Sequence, residues 1–188
     1  MRLAYGAEEI GIGGHPVTIV VDVANVMGSR PDGWWRDRAG AAARLHAGIV
    51  RLAASGRAIL PDTEPPGEAV TPGQAVTPGF VLVLEGAAKA APIPAAPAPA
   101  AAPGSAGPGS AAPGSAGPGS ADPVQPGEVR VVRAPGSGDD AIVAVVRQLP
   151  GRRVVVTADR ELRDRSVAAG ATVLRPGWLL GQLEDRAS

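Results

Sequence analysis

The chain has 188 residues, a length that predicts one domain with room for an appendage, and its 18 basic and 18 acidic residues cancel. Balanced charge excludes a wholly basic nucleic-acid-binding protein, so any such contact has to come from a local patch. With no cysteine and only His15 and His46, disulfides, thiolate sites and His/Cys zinc centres are excluded as well.

Residues 1–14 read as an N-terminal extension. They carry Glu8 and Glu9 and lack the basic start and apolar run of a signal peptide. No stretch reaches the roughly 20 apolar residues that a bilayer span needs. A cytoplasmic protein without membrane association is therefore expected.

Val17–Val21 is a β-branched run, the pattern of a strand buried on both faces. Trp34–Ser55 predicts a helix ended by Gly56. Pro61–Gly79 is a Pro-rich loop containing AVTPG twice, and Phe80–Leu84 is a second buried strand. From residue 90 to 127 the chain turns to Pro, Ala, Gly and Ser, and AAPGSAGPGS at Ala101–Ser110 repeats at Ala111–Ser120. Such a stretch has almost nothing to bury against its ordering entropy, so it is expected to be a disordered insertion.

Val129–Arg133 is a third strand, and Asp139–Leu149 a helix stopped by Pro150 and Gly151. Val154–Thr157 is a fourth strand and Arg160–Ala169 a helix ended by Gly170. Thr172–Leu174 and Gly177–Glu184 complete the series as strand and helix. Strands alternating with helices predict an α/β fold, a parallel sheet of about five strands with helices on both faces. The insertion then lies inside one discontinuous domain, residues 15–89 and 128–188, because loop-closure entropy grows only logarithmically with length.

Open parallel sheets bind ligands beyond the carboxyl ends of their strands. Asp22 closes the first strand, Glu85 follows the second, Asp139 and Asp140 open the helix after the third, and Asp159 follows the fourth. Acids that converge in this way repel one another and call for a cation, and all-oxygen ligation points to Mg²⁺ or Mn²⁺. Taken singly, the acids at the helix mouths also suit ordinary capping, with Ser137 as a rival cap for the first of them. Asn25 can hold a carboxylate, touch a phosphate oxygen or simply form an Asx turn. Thr157 can orient a bound water or be an ordinary strand residue.

Trp34, Trp35, Arg36 and Arg38 cluster after a turn, and aromatic rings beside guanidiniums can stack bases and hold phosphates. One of the two Trp is expected in the core. Arg160 and Arg163 lie on the helix behind Asp159, where Arg160 can also pair with Asp164 at i,i+4.

VVDVANVMG at Val20–Gly28, SGDDAIVAVV at Ser137–Val146 and VVVTADRELRDR at Val154–Arg165 resemble the YacP-like branch of the NYN/PIN-like ribonuclease superfamily. The resemblance rests on a D-x-x-N at Asp22 and Asn25 and a T-x-D-R-x-L at Thr157–Leu162. It implies a PIN-like/NYN architecture and metal-dependent RNA cleavage, with Asp22, Asn25, Asp139 and Asp159 as catalytic residues. The implied Mg²⁺ or Mn²⁺ ligands are Asp22, Glu85, Asp139, Asp140 and Asp159; Trp34, Arg36, Arg38, Arg160 and Arg163 are the RNA contacts expected from their residue types alone. Glu85 departs from the pattern, since relatives more often carry Asp near that point, and so does the insertion.

The expected activity is that of a metal-dependent endoribonuclease. The rival is a catalytically weak module that binds RNA or the ribosome. A nucleotide-binding or phosphatase-like domain is disfavoured, because there is no G-x-x-x-x-G-K-[ST] loop and GIGGHP at Gly11–Pro16 precedes the first strand.

Overall fold

Five apolar segments of this chain lie side by side as one sheet. The computed structural model describes residues 16–56, 58–61, 75–93 and 123–184. In chain order the elements are β1 (Val17–Asp22), α1 (Val23–Gly28), a 3-10 turn (Trp34–Arg36), α2 (Arg38–Ala54), β2 (Ala58–Ile59), β3 (Ala75–Val76) and β4 (Gly79–Leu84). A second 3-10 turn (Gly86–Ala90) follows. Then come β5 (Val129–Arg133), α3 (Gly138–Gln148), β6 (Arg152–Val156), α4 (Arg160–Ala168), β7 (Thr172–Leu174) and α5 (Pro176–Glu184).

The main sheet has the order β5-β4-β1-β6-β7, and every neighbouring pair is parallel. Val21 of β1 sits between Leu82 of β4 and Val156 of β6. Side chains alternate across the strands. Ile19, Val21, Leu82, Leu84, Val154 and Val156 meet α1, α2 and α5, whereas Val20, Val81, Val83 and Val155 meet α3 and α4. This is the expected α/β architecture with helices on both faces. Phe80, the single Phe, is fully buried, so truncating it to Ala costs about 3–5 kcal/mol.

Several boundaries differ from the sequence expectations. Helix α2 starts at Arg38 and not at Trp34, because the Asp37 side chain accepts the Gly40 N–H at 2.8 Å and caps it. Trp34–Arg36 is a separate turn. Helix α1 has no counterpart in the sequence expectations, since its six residues are too few to display a 3.6-residue period. The antiparallel β2–β3 pair, only two residues long on each side, escapes notice for the same reason.

The described structure also reaches into the expected insertion from both ends. Ala91, Ile93 and Val124 are buried, because apolar side chains gain by leaving water wherever cover is within reach. Arg133 donates to the carbonyls of Lys89, Ala91 and Ile93 at 3.1, 3.4 and 3.3 Å, holding the segment that leaves β4 against β5. The rest of the insertion, residues 94–122, lies outside the described residues, as do the N-terminal extension and most of the first Pro-rich loop. Among the described residues, no helix is long and apolar enough to cross a membrane.

Candidate active site at the carboxyl edge of the sheet

From β1 the chain builds outward to β4 and β5, then crosses over to add β6 and β7 on the other side. The connections leaving β1 and β6 therefore diverge, and the crevice above these two strands is where open α/β sheets hold ligands. Asp22, the last residue of β1, and Thr157, the first after β6, flank that crevice.

Asp22 is only 5 % exposed and is held by three donors. The Asn25 N–H reaches one carboxylate oxygen at 3.1 Å, so Asp22 caps α1. The Asn25 side-chain amide and the Thr157 hydroxyl donate to the other oxygen at 2.7 and 2.9 Å. Of the roles open to Asn25, the structure supports both holding the carboxylate and closing the Asx turn. Thr157, itself buried, accepts the Asp159 N–H at 3.1 Å, and Asp159 in turn caps α4 by accepting the Leu162 N–H at 2.8 Å. One chain of hydrogen bonds thus runs from α1 through the Asp22 carboxylate to the mouth of α4.

Glu85 joins from β4. Its carboxylate accepts the Gly138 N–H at 2.9 Å, the first amide of α3. A Cβ at Gly138 would come within 2.4 Å of that carboxylate, so this approach requires glycine. Asp139, next along, is carried to the same edge. Burial pushes the Asp22 carboxyl above its ordinary value, against the pull of its three donors, and Glu85 adds to the rise. Burial also raises Asp139, and the carboxylates of Asp159, Asp22 and Glu85 raise it further, with Arg165 opposing. Asp22, Glu85, Asp139 and Asp159 therefore share one electrostatic neighbourhood.

Asp140 stands apart from this group. It is exposed, pairs with Arg165 and lines a groove on the outer side of α3 with Val132 and Ala141. One helical step of about 100° separates it from Asp139, which decides which of the two acids faces the crevice. Among the described residues, no three acidic or imidazole groups stand close enough to ligate one ion as they are. Each acid is drawn toward a local donor: Asp22 to Asn25 and Thr157, Glu85 to Gly138, Asp159 to Leu162.

The aromatic and basic residues divide differently from the expectation. Trp34 packs against the core, with the Arg38 guanidinium 5.3 Å from its ring centre. The exposed ring is Trp35, 54 % accessible, edge-on to Trp34 at 6.3 Å and 6.0 Å from the Arg36 guanidinium. Arg163 lines a cleft of about 480 Å³ with Thr157 and Asp159, whereas Arg160 lines a separate groove with Arg165 and Ala168 on α4. Asp164 approaches Arg163 at 3.7 Å, and not Arg160 as the i,i+4 spacing suggested.

Two contributors carry little signal in the sequence. Gly138 is visible there only as a glycine before two acids at a helix start. Arg175, after β7, shares the Arg163 cleft, and no motif marks it.

No protein-family model matches the sequence, and no curated protein matches it. Among solved structures, the fold resembles the crystal structure of a point mutant of Rae1 (YacP) from Bacillus subtilis. That likeness has a TM-score of 0.46 and 11 % identity, covering 90 % of this chain and 74 % of the other.

Proposed function

We propose that the protein is a metal-dependent ribonuclease that hydrolyses RNA phosphodiester bonds at the crevice above β1 and β6. The observation that carries this reading is the shared neighbourhood of Asp22, Glu85, Asp139 and Asp159, two of them with raised affinity for a proton. Carboxylates brought this close repel one another, and a bound cation relieves that repulsion.

The donor set fits a hard divalent ion. Mg²⁺ binds through one or two carboxylates and keeps several waters, so it does not need three convergent acids. Asp22 and Asp139 would hold it, with Glu85 and Asp159 beside them. When bound, the ion supplies charge neutralisation and an activated water for attack on phosphorus.

The chain's own residues do the rest. Asn25 and Thr157 fix the orientation of the Asp22 carboxylate. The Glu85 bond to Gly138 sets the α3 N-terminus, and Asp139 with it, against the end of β4. The N-termini of α3 and α4 open at this same edge, where helix dipoles favour an anionic substrate group.

The test is incubation of the purified protein with total RNA in Mg²⁺, in Mn²⁺ and in EDTA, beside Asp22→Asn and Asp159→Asn. Cleavage is expected with either metal and not in EDTA. Each variant should lose at least about a hundredfold, or roughly 2.7 kcal/mol of transition-state stabilisation. Mg²⁺ should raise the melting temperature of the wild type by mass action, and less so in Asp22→Asn. Equal cleavage by wild type and both variants would remove this site.

A further inference from the structure

We infer that the cleft between α4 and α5 seats a backbone phosphate of single-stranded RNA, gripped by Arg163 and Arg175, next to the acidic crevice. The cleft is lined by Ser29, Thr157, Asp159, Arg163, Arg175 and Gly177, among others, and holds about 480 Å³. It shares Thr157 and Asp159 with the proposed catalytic crevice, so a strand lying across one continues into the other. The assignment of RNA as the ligand rests on the ribonuclease reading.

Ion pairing leaves Arg175 available to a ligand; Arg160 on α4 is likewise without an ion pair among the described residues, but it lines a separate groove away from Thr157 and Asp159. Arg165 pairs with Asp140, Arg30 with Glu184 at 3.0 Å, and Arg44 lies near Asp37 at 3.7 Å. The guanidiniums of Arg36 and Arg38 lie over indole rings. Arg175 is exposed and makes no ion pair among the described residues. Arg163 has only a 3.7 Å approach to its sequence neighbour Asp164, with both side chains about half exposed or more, and such pairs are weak and readily exchanged.

Two guanidiniums lining a polar cleft suit a phosphate, which they can bind through paired N–H donors. The first turn of α5, at Pro176 and Gly177, lines the same cleft and adds the positive end of a nine-residue helix. Asp159 stands where the acidic crevice meets the cleft, and Arg163 and Arg175 carry the positive charge within it. A cation belongs at Asp22 and Asp139, and a phosphate belongs between α4 and α5.

The test measures binding of a fluorescein-labelled 12-nucleotide single-stranded RNA by anisotropy, in EDTA so that nothing is cut. Two variants are compared with the wild type: the double variant Arg163→Ala/Arg175→Ala, and Gly177→Asp. A Cβ at Gly177 meets nothing within 4 Å, and an acid in a helix's first turn is favourable, so Gly177→Asp should keep its melting temperature. Each variant is expected to weaken binding at least about tenfold. The double variant should also lower the salt dependence of log K by about 0.7 for each phosphate it no longer neutralises. Wild-type affinity and salt slope in both variants, or no RNA binding by the wild type at 50 mM salt, would overturn the inference. So would tighter binding of inorganic phosphate than of the RNA at matched ionic strength, which would assign the cleft to a free anion. Cleft-dependent binding by a wild-type protein that cuts nothing in Mg²⁺ would support the cleft and overturn the ribonuclease reading instead.

Discussion

The Thr157 hydroxyl donates to the Asp22 carboxylate at 2.9 Å, joining two residues 135 positions apart across the crevice between β1 and β6. Both are almost fully buried. The bond exists because β1 and β6 are parallel neighbours in register, with Val21 opposite Val156, so the residue that follows each of these two emerges at the same height.

Thr157→Val keeps the β-branched shape and removes the hydroxyl. It leaves the buried Asp22 carboxylate one donor short and deprives the Asp159 N–H of its acceptor. Hydrogen bonds to charged groups are worth about 1.5–3 kcal/mol, and urea unfolding should show a loss of that size. Thr157→Ser, which retains the hydroxyl, should recover most of it. A loss in Thr157→Ser with none in Thr157→Val would mean that the methyl group matters and not the bond.

Gly138→Ala separates stability from site geometry. The added Cβ would meet the Glu85 carboxylate at 2.4 Å, but that carboxylate is the end of a partly exposed side chain and can swing aside. Ala is also the better helix former. The melting temperature should therefore change by no more than a few degrees, while the Mg²⁺-induced shift and RNA cleavage both fall. A variant with wild-type metal response would show that the position of Glu85 is irrelevant to the site.

Asp139 gives a pH signature. Its folded-state affinity for a proton is raised above the ordinary value of 3.8. Between that value and the raised one, the folded chain holds a proton that the unfolded chain has released. Stability from this group is therefore lost as pH rises through the window, and the ionised carboxylate is a net cost above it. Without metal, Asp139→Asn should melt higher than the wild type at pH 7, and the advantage should disappear below pH 3.8. Mg²⁺ at pH 7 should reverse the order. A constant difference at all pH values would refute the coupling.

Cutting the chain between residues 94 and 122 tests whether the sheet is one unit. Strands β1 and β4 precede that segment, and β5, β6 and β7 follow it. The β4–β5 and β1–β6 pairings both cross it. A protease site engineered there should yield two fragments that co-elute and unfold together, because neither alone covers its apolar strands. Fragments that part without denaturant, each still folded, would contradict the shared sheet.

The sequence by itself determined the five strands of the main sheet and their kind, though not the two-residue β2 and β3. The runs at Val17–Val21, Phe80–Leu84 and Val154–Val156 are almost wholly apolar, which only burial on both faces explains, and a parallel sheet beneath helices follows. It also determined that Asp22 and Glu85 close such runs, since polarity after an apolar stretch marks the strand end. Helix α1 and the start of α2 were not legible. A six-residue helix has no period to read, and the Asp37 cap competes with an equally helical stretch before it.

The tertiary structure alone decided which of Asp139 and Asp140 faces the crevice, which Trp is exposed, and that Arg175 shares a cleft with Arg163. These outcomes depend on rotation about a helix axis and on strand order. Hydrophobic pattern encodes burial along the chain, but the partners that meet across β1 and β6 are set by packing between segments more than a hundred residues apart.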